Sequence, residues 1–400
     1  MVGEASNKPR PGREGLLRLH VRPSGTVPQR RQASPEPLAL ARRAFSICKV
    51  AAGATPGDAD ERRLYSVNVR ILYVAMADDY GIAERGPSFE ETNFRSSLTG
   101  MGHELECFDF IARSNAIGVE NMNEELVETA TRSRPDLVFF VLFENEIPPA
   151  CVEATGSAAD APTMNWFADD HWRFETFSRH YAHALDWVIT TDHAAVSKYR
   201  DLGQANTLLS QWACNKYAYG RRGRELRHET TFVGQPHGNR REIIDDLIGD
   251  GIPVECWGTN WPNGRLDHEG LVRVFSTSRI NLNLSNSSTP PSTVRARIGA
   301  LVKRVDRSPR PSQIKGRTFE VPGCAGFLLT DRVPHLEEYF VPDREVAVYD
   351  GDGDLADRIK FWLKHDVARS SVAEAGYSRV MAEHTYNHRF RAIFEAAGLQ

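Results

Sequence analysis

The chain has 400 residues, 41% of them hydrophobic, and a formal net charge of -4. That length suits two domains, and so mild an acidity excludes nucleic acid as the main electrostatic partner. No apolar run reaches the roughly 18–20 residues a transmembrane segment needs, and six cysteines with no C-x-x-C pair fit reduced thiols of a cytoplasmic protein.

Residues Met1–Ser66 differ from all that follows. They carry 12 Lys/Arg against 6 Asp/Glu, which leaves the remaining chain near -10. Many prolines, low hydrophobicity and no sustained periodicity predict a disordered basic arm over 1–66, with at most a short helix from Pro37 to Val50. Arg42, Arg43 and Lys49 interrupt the Leu38–Ala54 stretch, so it does not read as a signal peptide.

Order begins at Val69–Ala75, a predicted parallel strand. The loop Asp78–Pro87 follows, then a helix over Ser88–Gly100 with a Ser88/Glu91 capping box, then a strand over His103–Phe108. Strand, helix and strand form a βαβ unit, and no G-x-G-x-x-G accompanies it. Asp78, Asp79 and Glu90 read either as acceptor contacts or as solvated loop acids. A helix over Asn123–Arg134 leads to Leu137–Leu142, whose continuous apolar run predicts a buried strand. Pro162–Ala168 is another strand, and Asp169, Asp170 and His171 follow it directly. Ligands of open parallel sheets sit beyond strand carboxyl ends. These three residues are therefore candidate catalytic groups, able to deprotonate or hold an acceptor hydroxyl. The competing reading makes Asp170 a helix cap. Trp187–Thr191 is a further strand, ending at His193, which reads first as a structural histidine. Thr207–Trp212 closes a first domain over 67–215.

The Arg- and Gly-rich stretch Lys216–His228 suits a linker. A second α/β set then runs over 216–383. Thr230–Gly234 is its first strand, and the loop to a helix starting at Arg240 makes an anion site from backbone N–H groups and the helix dipole. Gly234 and Arg240 are therefore candidate donor contacts, with Arg240 or Arg241 offering a bidentate grip. Val254–Gly258 and an alternating Arg279–Leu284 continue the strands. Ser285–Pro311 reads as an inserted loop around a short helix. Pro334–Phe340 is a predicted helix, Glu345–Tyr349 a strand, and Leu355–Lys364, Val367–Glu383 and Asn387–Ala397 are helices.

The most informative stretch is Gln313–Asp331, QIKGRTFEVPGCAGFLLTD. Lys315 and Arg317 precede Glu320, which is flanked by Phe319 and Val321. A small-residue turn that includes Gly326 then leads into the buried strand Phe327–Leu329. Two cations and one carboxylate before such a turn suit a nucleoside diphosphate, with the cations on phosphate and Glu320 on the ribose hydroxyls. The same residues also fit an ordinary surface pair and a glycine turn.

This stretch resembles the C-terminal signature of the CgeB-like (spore maturation protein) glycosyltransferases, a branch of the GT-B group. The resemblance extends from about Val69 to about Phe394. It implies an α/β fold of two Rossmann-like domains facing a cleft, with a terminal helix over 384–400 packing back on the first domain. It implies that the second domain binds a nucleotide-sugar donor through Gly234, Arg240, Lys315, Arg317, Glu320 and Gly326, and that the first domain binds the acceptor: a glycan, a protein or a small molecule. Metal would be absent from catalysis and no cofactor would be needed beyond the donor substrate. Glu320 matches the second acid of an E-x7-E pattern. The first would fall at Ser312, which is not acidic, so donor-sugar recognition and stereochemistry stay open. A non-catalytic sugar-nucleotide or glycan-binding module on the same fold, and a Rossmann oxidoreductase, are the alternatives. The missing glycine fingerprint weighs against the oxidoreductase.

Overall fold

Successive residues of a strand face opposite sides of its sheet, so a strand apolar at every position needs cover on both sides. Leu137–Phe140 (β3) is such a strand: Leu137 and Phe139 enter one apolar cluster, Val138 and Phe140 another. The computed structural model describes residues 68–222, 225–285 and 313–399, all within one compact unit, Gly53–Gln400. The arm over 1–66 and the insertion beyond Ser285 lie outside the described residues, as do positions 223–224 of the linker.

β1 (Arg70–Val74), β2 (Glu104–Phe108), β3, β4 (Thr163–Phe167), β5 (Trp187–Thr190) and β6 (Thr207–Leu209) form a six-stranded parallel sheet in the order β2-β1-β3-β4-β5-β6. Its connecting helices are α1 (Ser96–Gly100), α2 (Phe110–Ile117), α3 (Val119–Ser133), α4 (Pro149–Ala159), the single turn α5 (Asp170–Arg173) and α6 (His193–Asp201). A π-helical segment, Glu91–Arg95, precedes α1. Ser88 begins that helix, its Oγ accepting from the Glu91 N–H at 3.0 Å. The Glu91 carboxylate turns instead to Arg95, so only half of the predicted capping box forms.

The second sheet comprises β7 (His228–Val233), β8 (Glu255–Trp257), β9 (Ser278–Asn283), β10 (Leu328–Asp331) and β11 (Ala347–Tyr349), all parallel, in the order β11-β10-β9-β7-β8. Around it lie α7 (Arg240–Gly249), α8 (His268–Thr277), α9 (Arg317–Gly323), α10 (Asp352–Lys364) and α11 (Asp366–Glu383). β9 does not alternate between buried and exposed as its sequence suggests. Asn281 and Asn283 are buried, because both faces of the sheet are covered. The predicted helix over Pro334–Phe340 shrinks to a 3-10 turn, Leu336–Glu338, with His335 before it in the left-handed region at φ 68°.

The chain then returns to the first sheet. Cys214 and Thr385 form an isolated parallel bridge, with Tyr386 N–H donating to Cys214 O at 3.0 Å. The last helix, α12 (Tyr386–Ala396), sends Tyr386, Phe390, Ile393 and Phe394 into the cluster that holds Leu137 and Phe139. Each such buried side chain contributes about 1.5–3 kcal/mol, so α12 is part of the first domain's core although it follows the second in sequence. Among the described residues, no helix is long and apolar enough to cross a membrane.

Candidate active site

β4 ends in Phe167, and the chain turns at Ala168–Asp169 into α5. This placement beyond a strand carboxyl end puts the two neighbouring carboxylates in different surroundings. Asp169 borders a cavity of about 210 Å³ in the first domain. Asp170 points the other way, into the domain, where Tyr199 Oη donates to its Oδ2 at 3.1 Å. The nearby Ser178 and Thr190 hydroxyls favour its charged form, yet burial pushes its carboxyl up to about 6. Asp169 stands at the N-cap of α5 and makes no side-chain capping bond, and Asp170 is the first helical residue. Asp170 thus ties α5, β5 and α6 together rather than facing an acceptor, a correction to its catalytic assignment. His171 is held neutral, its imidazole pushed down to about 3 by burial and then by the Lys315 charge. So depressed an imidazole is a poor proton acceptor at neutral pH. Asp169 is the one member of the trio left as a candidate base.

The Asp170 arrangement has a pH signature. A carboxyl raised from 3.8 to about 6 on folding contributes stability fully below its unfolded value. That contribution is lost as pH rises through about 6. Asp170→Asn cannot charge, so it should gain on the wild type by about 2 kcal/mol between pH 4 and pH 7. Urea unfolding at both pH values measures this; parallel pH profiles for the two proteins would contradict the assignment.

The cavity beside Asp169 is walled by aromatic side chains, including Tyr80, Phe89, Phe143, Trp166 and Trp212, and also reaches Asp79, Glu90 and Arg173. The indole N–H groups of Trp166 and Trp212 are buried and meet no acceptor among the described residues. Burial raises the Glu90 carboxyl. Asp79 is committed elsewhere, since Arg265 of the second domain donates to its Oδ2 at 2.7 Å. Arg173 lies over the Phe177 ring at 4.3 Å.

Across the cleft, the second domain concentrates positive charge. The Lys315 ammonium is pushed down to about 8, first by burial, with Asp169 opposing and with Arg240 and Arg317 adding to the effect. Burial and then Arg317 push Arg240 down to about 10. Burial likewise lowers Arg317, with Glu320 opposing. Lys315 therefore senses the charges of Arg240, Arg317 and Asp331 in its own domain and of Asp169 in the first. Gly234 belongs here because a Cβ on it would stand 3.0 Å from Arg317 Nη2, so a larger residue would push the Arg317 side chain away from the end of β7. Arg240 is more structural than the sequence implies. Its Nη1 donates to Gln235 O at 3.1 Å and its Nη2 to Leu284 O at 2.6 Å. The predicted bidentate grip is thus already taken up in joining the β7–α7 loop to the end of β9, and its charge remains in place. Arg241 lies apart, donating to Asn260 O at 2.8 Å.

Glu320 is buried on α9, its carboxyl raised by burial and lowered in part by Arg317 and by a hydrogen bond from Tyr219. A Cβ at Gly316 would come within 3.0 Å of its Oε1, so only a glycine lets the chain pass that close to the carboxylate without displacing it. Gly326 does not join this group. Its surroundings are Phe275 O, at 2.3 Å from an added Cβ, Asn281 and Val321. It is the close contact between α8 and β10, which corrects its donor assignment. Sequence reasoning missed Tyr219 and Asp331, and the Trp166/Trp212 pair. Only Asp331, in the TD ending of the signature, carried a signal in the sequence. A second cavity of about 350 Å³, lined by Ile243, Leu284, Asp331 and Tyr349 among others, opens beyond the ends of β10 and β11.

Comparisons with known proteins bear on the fold. Residues 239–395 match the family described as glycosyl transferase-like. Among solved structures, HepE of Anabaena in complex with UDP-glucose is similar over 83% of this chain and 100% of its own, at 10% identity and a TM-score of 0.54. Sucrose-phosphate synthase from Thermosynechococcus elongatus is similar over 83% of this chain and 98% of its own, at 11% identity and a TM-score of 0.53. A glycosyltransferase from Rickettsia africae is similar over 82% of this chain and 99% of its own, at 9% identity and a TM-score of 0.53. No curated protein matches. The chain has the GT-B fold: two α/β domains with parallel sheets, and α12 packed on the first.

Proposed function

We propose that the protein is a glycosyltransferase that moves a sugar from a nucleoside-diphosphate sugar on the second domain to a hydroxyl held in the first-domain cavity. The observation that carries this reading is the grouping of Lys315, Arg317 and Arg240 opposite Asp169. Arg240 is buried and Lys315 and Arg317 are partly buried; three such cations raise one another's free energy, and a diphosphate between them would lower it. Charge grows on the leaving diphosphate oxygen as the bond to the sugar breaks. Fixed cations in a low-dielectric cleft stabilise that change without reorganising, so in this proposal the protein's own side chains supply the positive charge. Glu320, beside Gly316, would accept from the ribose hydroxyls. Asp169 would orient the acceptor hydroxyl or take its proton. Aromatic walls with interspersed carboxylates and indole donors suit a hydroxylated ring as acceptor.

Within the GT-B group, the Gln313–Asp331 signature supports placement in the CgeB-like branch. UDP is the first nucleotide to try, because HepE, which shares the fold, is seen with UDP and UDP-glucose. A thermal-shift screen of nucleoside diphosphates, followed by assays of donor hydrolysis and transfer, tests the proposal. Stabilisation by one diphosphate together with turnover of its sugar is expected. Binding with no turnover of any donor would favour a non-catalytic binding module.

A further inference from the structure

We propose that His193, His335 and Glu338 form a binding site for a zinc-class divalent ion that clasps the two domains. His193 opens α6 on the first domain, while His335 and Glu338 follow β10 on the second. Glu338 reaches both imidazoles: its Oε2 lies 3.1 Å from His193 Nε2 and its Oε1 2.6 Å from His335 Nδ1. The rings stack face to face at 3.6 Å, 5° from parallel. All three donor atoms lie within 4.8 Å of one another. Tetrahedral zinc bound at about 2.0–2.1 Å holds neighbouring donors about 3.3 Å apart; the in-plane lone pairs of two parallel rings do not converge, so one imidazole must rotate out of the stack to share an ion, a side-chain turn that the exposure of both rings permits. Two nitrogens and one carboxylate oxygen are a borderline donor set that suits zinc over calcium or magnesium. All three side chains are partly exposed, which gives an ion a way in and leaves room for water as the fourth ligand.

An ion held by all three residues would fix the separation of the domains at this edge. Cleft opening, which GT-B donor exchange would use under the function proposed above, would then depend on metal occupancy. The site itself does not rest on that reading, because none of its residues takes part in the proposed transfer.

The test uses the full chain stripped of metal with a chelator, then titrated calorimetrically with zinc and spectroscopically with cobalt. One equivalent of zinc should bind, and cobalt should give the visible absorption of a four-coordinate ion. His193→Ala and His335→Ala, one in each domain, should each weaken zinc binding at least tenfold and abolish the cobalt band. Both side chains are partly exposed, and circular dichroism should show both variants folded. Absence of saturable zinc binding would overturn the proposal. So would zinc affinity unchanged in His193→Ala, since the ion would then not join the two domains.

Discussion

Lys315→Ala is expected to lower the turnover of sugar transfer by about two to three orders of magnitude while weakening donor binding only about tenfold. The split follows from timing. Lys315 meets a diphosphate in both ground and transition states, but the leaving oxygen carries more charge in the second, and only the difference accelerates the reaction. Loss of one fixed donor to such an oxygen typically costs 10²–10³-fold. The charge also has a pH mark. An ammonium pushed down to about 8 must be protonated to pair with phosphate, so donor binding takes up a proton and affinity falls as pH rises through about 8. In Lys315→Ala that alkaline dependence should vanish. Steady-state kinetics and calorimetry across pH 6.5–9.5 would show both effects. Equal losses in binding and turnover, or an unchanged pH profile, would place Lys315 outside the leaving-group site.

Asp169→Asn should lower turnover by about 10²–10⁴-fold, the range for removing a general base. Donor affinity at pH 7 should change little, because the amide keeps the shape of the turn after β4. A second effect separates this role from a structural one. Asp169 supports the charged form of Lys315, so its loss lowers the Lys315 value further, and the alkaline fall in donor affinity should move to lower pH. A residue that only shapes the loop would not move it. Turnover within a fewfold of wild type would remove Asp169 from the chemistry.

Much of the architecture is legible in the sequence because it is local. The run Leu137–Leu142 can satisfy its apolar surface only between two covered faces, and that is where β3 lies. Helix α4 is harder to read, whereas α8 carries a readable start signal that the expectations above leave out. Pro149–Ala159 is rich in small residues with little periodic contrast, and His268–Thr277 starts at a cap, Asp267, whose side chain accepts from Gly270 N–H. The signature around Glu320 stands out because cations and an acid in apolar surroundings are costly unless something uses them. What the sequence hides is which end of each side chain faces the cleft. Asp169 and Asp170 are neighbours, and only coordinates separate the one at the cavity from the one inside the domain. Contacts between domains are hidden for another reason. Arg265 meets Asp79 from 186 positions away, and Glu338 meets His193 from 145. No periodicity or spacing links residues so distant.

Calorimetric titration of UDP into the wild type and Glu320→Gln tests the central claim, that the second domain grips a nucleoside diphosphate through this signature. The variant is nearly isosteric and should keep the fold. It loses the charge-assisted hydrogen bonds to ribose, worth about 1.5–3 kcal/mol each. At about 1.4 kcal/mol per decade, affinity should fall by roughly one to two orders of magnitude from a saturable 1:1 wild-type isotherm. Equal affinity in the two proteins, or no saturable binding by the wild type of UDP or any other nucleoside diphosphate, would contradict the account.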